Sequence, residues 1–474
     1  MVNPGTVSEP LRVAIIGSGP AGFYAAERLQ KEKRLVVEID MFERLPTPFG
    51  LVRGGVAPDH QKIKSVTSLY DRIARKPGFR FYGNVEFGTD ITHEDLLRFY
   101  HAIIYAVGAQ SDRRLGIPGE DLPGSHSATE FVAWYNGHPD FRDREFDLSQ
   151  ESVAVIGVGN VALDVARVLL RTPEELARTD IADYALEALS NSNVRRVYVL
   201  GRRGPAQAAF TNAEIKELGE MEGAECIVDP EDLELDPLSK AYLESGADPV
   251  AVKNIQVLSV YARQPAGQKP RQLILRFLVS PVEILGTDRV EAIKVVRNEL
   301  YAAEDGTLRP RPTGQYEEIP VGLVFRSVGY RGVPLPGVPF YDRWGVIPND
   351  RGRVLTKHET GSQVIGEYVV GWIKRGPSGV IGTNRPDAIE TVELLLEDLR
   401  AGRLLTPPEP SREAMEELLE ERGIRYVTYE DWLVIDELER RAGKELGRPR
   451  LKFCSVEEML EAVAEARQAL SMKE

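Results

Sequence analysis

The stretch Leu11-Arg12-Val13-Ala14-Ile15-Ile16-Gly17-Ser18-Gly19-Pro20-Ala21-Gly22 decides the fold. An apolar, partly β-branched run ends at glycines 17, 19 and 22, and Phe23–Leu29 continues with good helix formers, so the order is strand, tight turn, helix. Gly17 permits the turn, Gly19 lets backbone approach a pyrophosphate, and Gly22 lets the helix pack on the strand, with phosphate charge facing the helix N-terminus. Val36–Phe42 reads as the next parallel strand. It ends at Glu43, about 25 residues past the first glycine, close to the spacing of an acid that binds a free ribose diol; the bland alternative for Glu43 is an exposed loop acid.

The pattern restarts at Val153. Gly157-Val158-Gly159-Asn160-Val161-Ala162-Leu163 forms a second glycine loop, in which Ala162 takes the third glycine's place because a methyl still lets helix and strand approach. The helix Val161–Leu170 and a helical excursion through Glu174–Leu189 lead to the strand Arg196–Leu200, and beyond it stand Arg202 and Arg203. Adjacent guanidiniums at a strand's carboxyl end suit a 2′-phosphate, whereas Glu43 suits an unmodified ribose. Two unlike dinucleotides are expected: FAD at the first loop and NADPH, rather than NADH, at the second.

Outward from these loops, Leu45–Pro58 is too rich in Pro and Gly for regular structure, Gln61–Ala74 has helical spacing, and His101–Gly108 holds another buried strand. Ile255–Ala262, Gln272–Val279 and Val290–Glu299 read as antiparallel strands, and Val321–Val328 brings the chain back. A further strand at Tyr368–Val370 precedes Gly371–Gly379 and a helix through Glu390–Leu399, for which Asn384 is a cap candidate and Pro386 a first-turn residue. The expected architecture is α/β, with two Rossmann-like three-layer βαβ domains. Residues 1–112 and 331–474 form the FAD domain, residues 113–330 the inserted NADPH domain, and helical pieces at Glu413–Glu421, Glu430–Arg441 and Val456–Leu470 close the chain.

His60, just before a helix, is a candidate proton relay because imidazole titrates near neutrality; Asp164 and Glu214 are weaker candidates, since acids on helices are commonly just solvated. Bulk properties narrow the chemistry. With 474 residues and 42% hydrophobic content the chain supports more than one packed domain. A net charge of −14 disfavours nucleic acid. Cys226 and Cys454 are too few for a cysteine-ligated iron–sulfur cluster and too distant for a CxxC dithiol, so redox chemistry falls to an organic cofactor; no metal site is expected. Without a signal-like start or a spanning apolar run, the expectation is a cytoplasmic protein without stable membrane insertion.

Four segments together carry a family resemblance: Pro46–Arg53 with Val56–His60, Gly159–Arg167, Gly201–Pro205 and Gly371–Pro377. The chain resembles the adrenodoxin-reductase-like ferredoxin–NADP⁺ reductases, bacterial FprA type included, within the glutathione-reductase-like two-dinucleotide flavoproteins. The resemblance implies that FAD is held by the loop of Gly17, Ser18, Gly19, Pro20, Ala21 and Gly22, by Glu43, Leu51 and Val85, and by Trp372 with Gly379, Val380 and Ile381. For NADPH it implies Arg113, the loop of Gly157 and Gly159, Asn160 to Leu163, Arg202, Arg203, Glu214 and Gly379. His60, Asp164 and Glu214 would form polar surroundings for the reacting rings. The implied activity is hydride transfer from NADPH to FAD followed by single-electron transfer to a small iron–sulfur protein, a ferredoxin. Arg72, Arg75, Lys76 and Arg80, or Arg195 and Arg196, are candidate docking charges. Two alternatives stay open: two-electron reduction of a quinone or disulfide partner, and a nucleotide-sensing flavoprotein without turnover.

Overall fold

The computed structural model describes residues 4–246 and 248–472. The chain forms two compact units, one of residues 1–56, 60–111 and 329–474 and the other of residues 57–59 and 112–328. No helix among the described residues is long and apolar enough to cross a membrane.

In the first unit, the strand Leu11–Ile16 is buried at every position and pairs in parallel with Val37–Glu43 on one side and Ala102–Tyr105 on the other. Phe79–Gly83 extends the sheet beyond Val37–Glu43, and Gln363–Val369 extends it beyond Ala102–Tyr105. Two short antiparallel strands, Arg353–Leu355 and Asn349–Asp350, complete seven. Alternate residues of the central strand feed opposite faces, as the strand repeat requires: Val13 and Ile15 join Phe23, Leu395 and Leu396 on one side, and Ala14 and Ile16 join Phe42, Phe99 and Met415 on the other. This is the three-layer arrangement that buries a parallel sheet on both faces.

The C-terminal helices belong to the same core. Trp432 stacks edge-on against Phe49 with centroids 5.7 Å apart, and the buried Glu439 receives the Arg53 guanidinium at 2.8 Å. The tail thereby braces the turn that follows the second strand. Gln61–Ala74 is not one helix: Gln61–Lys64 and Thr67–Ala74 are separate.

The second unit has a six-stranded sheet in the order Ser125–Ser127, Leu323–Arg326, Ser152–Ile156, Arg196–Leu200, Arg271–Arg276, Ala224–Val228, with all neighbours parallel. A three-stranded antiparallel sheet, Val279–Leu285, Ala292–Ala302 and Leu308–Pro320, packs against it through Val279, Ile284, Ile293, Val295 and Ile319. Two expectations are corrected here. Ile255–Ala262 falls in the helix Pro249–Tyr261, which starts at an Asp248 side chain accepting from the amides of Val250 and Ala251. Gln272–Val279 is not an antiparallel strand: Arg271–Arg276 is a parallel member of the main sheet, and Val279 opens the next strand.

Two candidate dinucleotide sites

Gly17 has a φ of +103°, and a Cβ there would sit 2.6 Å from the Ala106 carbonyl oxygen, so the turn accepts only glycine. At Gly22 a Cβ would come within 2.5 Å of the Gly17 oxygen, which explains how closely the helix Pro20–Gln30 lies on its strand. Gly19 is different. A Cβ built there meets no non-neighbouring atom within 4 Å, although its backbone is ordinary at φ −78°. The fold leaves room at that point without needing it for itself, and the first helical amides open onto it.

Glu43 ends the second strand and turns back to this loop. Its Oε2 accepts from the Ser18 hydroxyl at 2.6 Å and the Ser18 amide at 3.2 Å, and its Oε1 from the Leu45 amide at 3.1 Å. Val85 is buried and donates its amide to the Glu43 carbonyl at 2.9 Å, fixing the strand end. Phe49 and Gly50 both take positive φ, and Gly50 lies so close to Gly19 that a Cβ would stand 3.0 Å from the Gly19 Cα. Leu51, just beyond, keeps 39% of its surface exposed.

The late segment reaches the same helix. Gly371 has a φ of +77° and would bring a Cβ within 2.7 Å of the Ala21 Cβ. Trp372 follows, its ring 5.3 Å from that of Tyr330 and its indole donating to the Ser378 carbonyl at 3.1 Å. Gly379 and Val380 are exposed and Ile381 half-buried. Asn384 is not the cap expected of it. A 3-10 turn, Ile381–Thr383, precedes the helix, so Asn384 is its first residue; the side chain donates to the Ile381 carbonyl and accepts from Arg375 at 3.0 Å.

The second loop repeats the design. Gly157, at φ +133°, would bring a Cβ within 2.1 Å of the Ser327 carbonyl, and Gly159 has open space where its Cβ would be. Ala162 and Leu163 are buried and Val161 half-buried. Asn160 accepts the Thr211 amide on Oδ1 at 2.8 Å, so the loop side chain holds a neighbouring turn in place. Arg202 is exposed and Arg203 half-buried, and neither forms an ion pair among the described residues. Burial, and then the charge of Arg202, lower the pKa of Arg203. Together with Tyr301 and residues 307–310 they line a cavity of about 470 Å³. Two uncompensated guanidiniums facing such a space suit a dianion. Arg113 is exposed and likewise without an ion pair among the described residues.

Asp164 and Glu214 are buried and converge on one cation that sequence reasoning missed, Arg167. Its guanidinium meets Asp164 at 2.7 Å, Asp59 at 2.7 and 3.1 Å, and Glu214 at 3.3 Å. Burial opposes the charge, but the carboxylates of Asp164, Asp59 and Glu214 outweigh it and hold the pKa well above its ordinary value. His60 lies in the other unit, buried at the head of Gln61–Lys64.

Three comparisons bear on this pair of sites. The pyridine nucleotide-disulphide oxidoreductase family matches residues 11–206. NADPH-ferredoxin reductase FprA of Mycobacterium tuberculosis is 49% identical over 459 residues, spanning 95% of this chain and 98% of the relative. The chain belongs to the FprA and adrenodoxin-reductase family. Human mitochondrial NADPH:adrenodoxin oxidoreductase, another relative, is 41% identical over 459 residues, covering 95% and 91% of the two chains. The solved structure of Mycobacterium tuberculosis FprA in complex with NADPH superposes with a TM-score of 0.90 at 47% identity, over 96% of this chain and all of the other.

As a member of the FprA and adrenodoxin-reductase family, the chain is an oxidoreductase of the two-dinucleotide α/β fold. The expected docking charges fare unevenly. Arg80 points inward, 12% exposed and bonded to Asp40 at 2.7 and 2.8 Å, so it is no docking residue. Arg75 and Arg196 are paired with Asp71 and Glu151. The signal that could have revealed Arg167 is its place in an otherwise apolar helix, three residues after an acid.

Proposed function

We infer that this chain is an FAD-dependent NADPH–ferredoxin reductase. Near full-length relatedness to FprA and adrenodoxin oxidoreductase supports the reaction. The single observation that carries the cofactor assignment is the contrast between Glu43 on the first glycine loop and the unpaired Arg202 and Arg203 beyond the second.

Bound FAD would supply a hydride acceptor for NADPH and a source of single electrons for an iron–sulfur carrier. The chain's own work is binding, orientation and electrostatics. The space at Gly19 and the amides of the helix behind it receive a pyrophosphate, Glu43 and Ser18 hold a ribose diol, and Leu51 and the turn before it cover the loop. Val85 fixes Glu43 in place. Trp372 and the backbone of Gly379, Val380 and Ile381 would hold the flavin, and Gly379 would also serve the nicotinamide. For NADPH, Gly157, Gly159 and residues 160–163 receive the pyrophosphate, Arg202 and Arg203 the 2′-phosphate, and Arg113 adds a further charge. His60, Asp164 and Glu214 form the polar surroundings that hold or move protons. The partner is a ferredoxin, and the setting is cytoplasmic.

The test is a stopped-flow comparison of NADPH with NADH as reductants of the bound flavin, followed by ferredoxin-dependent cytochrome c reduction. NADPH bleaching the flavin much faster than NADH, with turnover dependent on ferredoxin, is the expected result. Gently purified protein that carries no flavin overturns it.

A further inference from the structure

The cavity beside Arg202 and Arg203 has a second wall, and no glycine-loop residue supplies it. It comes from the antiparallel hairpin Ala292–Ala302 and Leu308–Pro320, whose Tyr301 and Arg309 are directly opposed across the strands. Resting on the assignment of NADPH to this unit, we infer that the hairpin is a specificity clamp: Tyr301 stacks on the adenine and Arg309 adds a third guanidinium to the 2′-phosphate.

Three observations converge on this. Tyr301 is a large aromatic side chain left 36% exposed at the mouth of a cationic cavity, and Arg311 already sits 5.6 Å from its ring centroid, holding the ring on one side. An exposed aromatic platform beside phosphate-binding arginines is what a nucleobase stacks on. Arg309 is bonded to Asp305 at 2.6 Å, but both are about half exposed, and such a surface pair is weak enough to yield to a dianion. Finally, the hairpin is tied to the arginine turn itself. The paired register slips between Val296 and Asn298, and that irregularity turns the buried Asn298 inward, where it donates to the Arg202 carbonyl at 2.9 Å. Asn298 is thus a positioning residue that sets Arg202 against the hairpin wall.

Calorimetric binding of adenosine 2′,5′-bisphosphate and adenosine 5′-monophosphate to the flavin-loaded enzyme tests the inference. Arg309→Ala should weaken the bisphosphate by about fivefold and leave the monophosphate unchanged. Tyr301→Ala should weaken both by about fivefold or more, and Tyr301→Phe should restore both, because stacking needs the ring and not the hydroxyl. The Arg202→Ala/Arg203→Ala double variant separates the two levels of argument. If it loses the bisphosphate while the Tyr301 and Arg309 variants bind as wild type, the clamp is overturned and the site stands. If the double variant binds the bisphosphate unchanged, the site assignment fails and the clamp with it.

Discussion

The Glu43 carboxylate accepts both the hydroxyl and the amide of Ser18, at 2.6 and 3.2 Å, so the end of the second strand is latched to the first glycine turn. The same carboxylate serves two ends: it shapes the loop, and it offers the acceptor that a ribose diol needs. Glu43→Ala should cut flavin affinity by about tenfold or more, the worth of one to two hydrogen bonds to a charged group. Flavin-to-protein ratio after gel filtration reads the loss, and undiminished retention would argue against the first loop as the FAD site.

If Arg202 and Arg203 receive the 2′-phosphate, as proposed, they carry the choice between the two nicotinamide dinucleotides. Their joint replacement by alanine should raise the KM for NADPH by about a hundredfold, roughly two charge-assisted bonds, while the KM for NADH changes little. pH offers a second readout. A phosphomonoester gains its second charge near pH 6, so above that value the dianion binds best, and the wild-type KM for NADPH should rise as pH falls through about 6. The NADH value should lack that rise, and so should the double variant.

These two loops were legible because each joins a buried hydrophobic strand to glycines whose spacing has one good physical use, and the parallel strands behind them were legible for the same reason. Elsewhere local pattern misled. Ile255, Val257 and Val260 are β-branched, yet they lie in a helix, because the Asp248 cap and Pro249 at its first turn set the backbone before side-chain preference acts. Arg271–Arg276 looks like any strand; that it pairs in parallel follows from where the helix before it returns the chain. Asn384 has a capping side chain, but the 3-10 turn ahead of it moves the helix start one residue back. Asp164 and Glu214 drew notice as isolated acids, while the cation that unites them was hidden among apolar neighbours.

Arg167 is therefore a sensitive point. It is fully buried against Asp59, Asp164 and Glu214, so Arg167→Met takes a shared counter-charge from three buried carboxylates, of which Asp59 keeps Arg171 at 2.7 Å, and should cost about 3–5 kcal/mol. The sign of its pH dependence is fixed. Carboxylates stripped of the guanidinium have raised folded-state pKa values and bind protons more readily folded than unfolded, so the variant gains stability as pH falls. Thermal unfolding should show its deficit against wild type larger at pH 8 than at pH 5.

His93 gives the opposite kind of titration. Its hydrogen bond to Glu367, 2.8 Å long, raises its pKa, with burial opposing and the Glu367 charge adding to the rise. A group whose folded pKa exceeds its unfolded value contributes fully below the unfolded value, about 6.5, and loses that contribution as pH rises through the folded one. The melting temperature should therefore fall from pH 6.5 upward by less in His93→Gln than in wild type. Equal slopes would show that the pair contributes nothing to the pH dependence.

Gly17 and Gly19, two residues apart, should fail in different ways. Alanine at Gly17 meets both a φ of +103° and the Ala106 oxygen at 2.6 Å, so the flavin-free protein itself should lose about 1–3 kcal/mol. Alanine at Gly19 meets neither obstacle: the backbone is in an allowed region and no non-neighbouring atom lies within 4 Å. Flavin-free Gly19→Ala should melt within about 0.5 kcal/mol of wild type and yet bind flavin at least about tenfold more weakly, because the added methyl fills space that only a ligand uses. Differential scanning calorimetry of the flavin-free proteins, set beside flavin titration, separates the two. A Gly19→Ala protein that binds flavin as tightly as wild type would mean that the open space at this turn is not where the pyrophosphate lies.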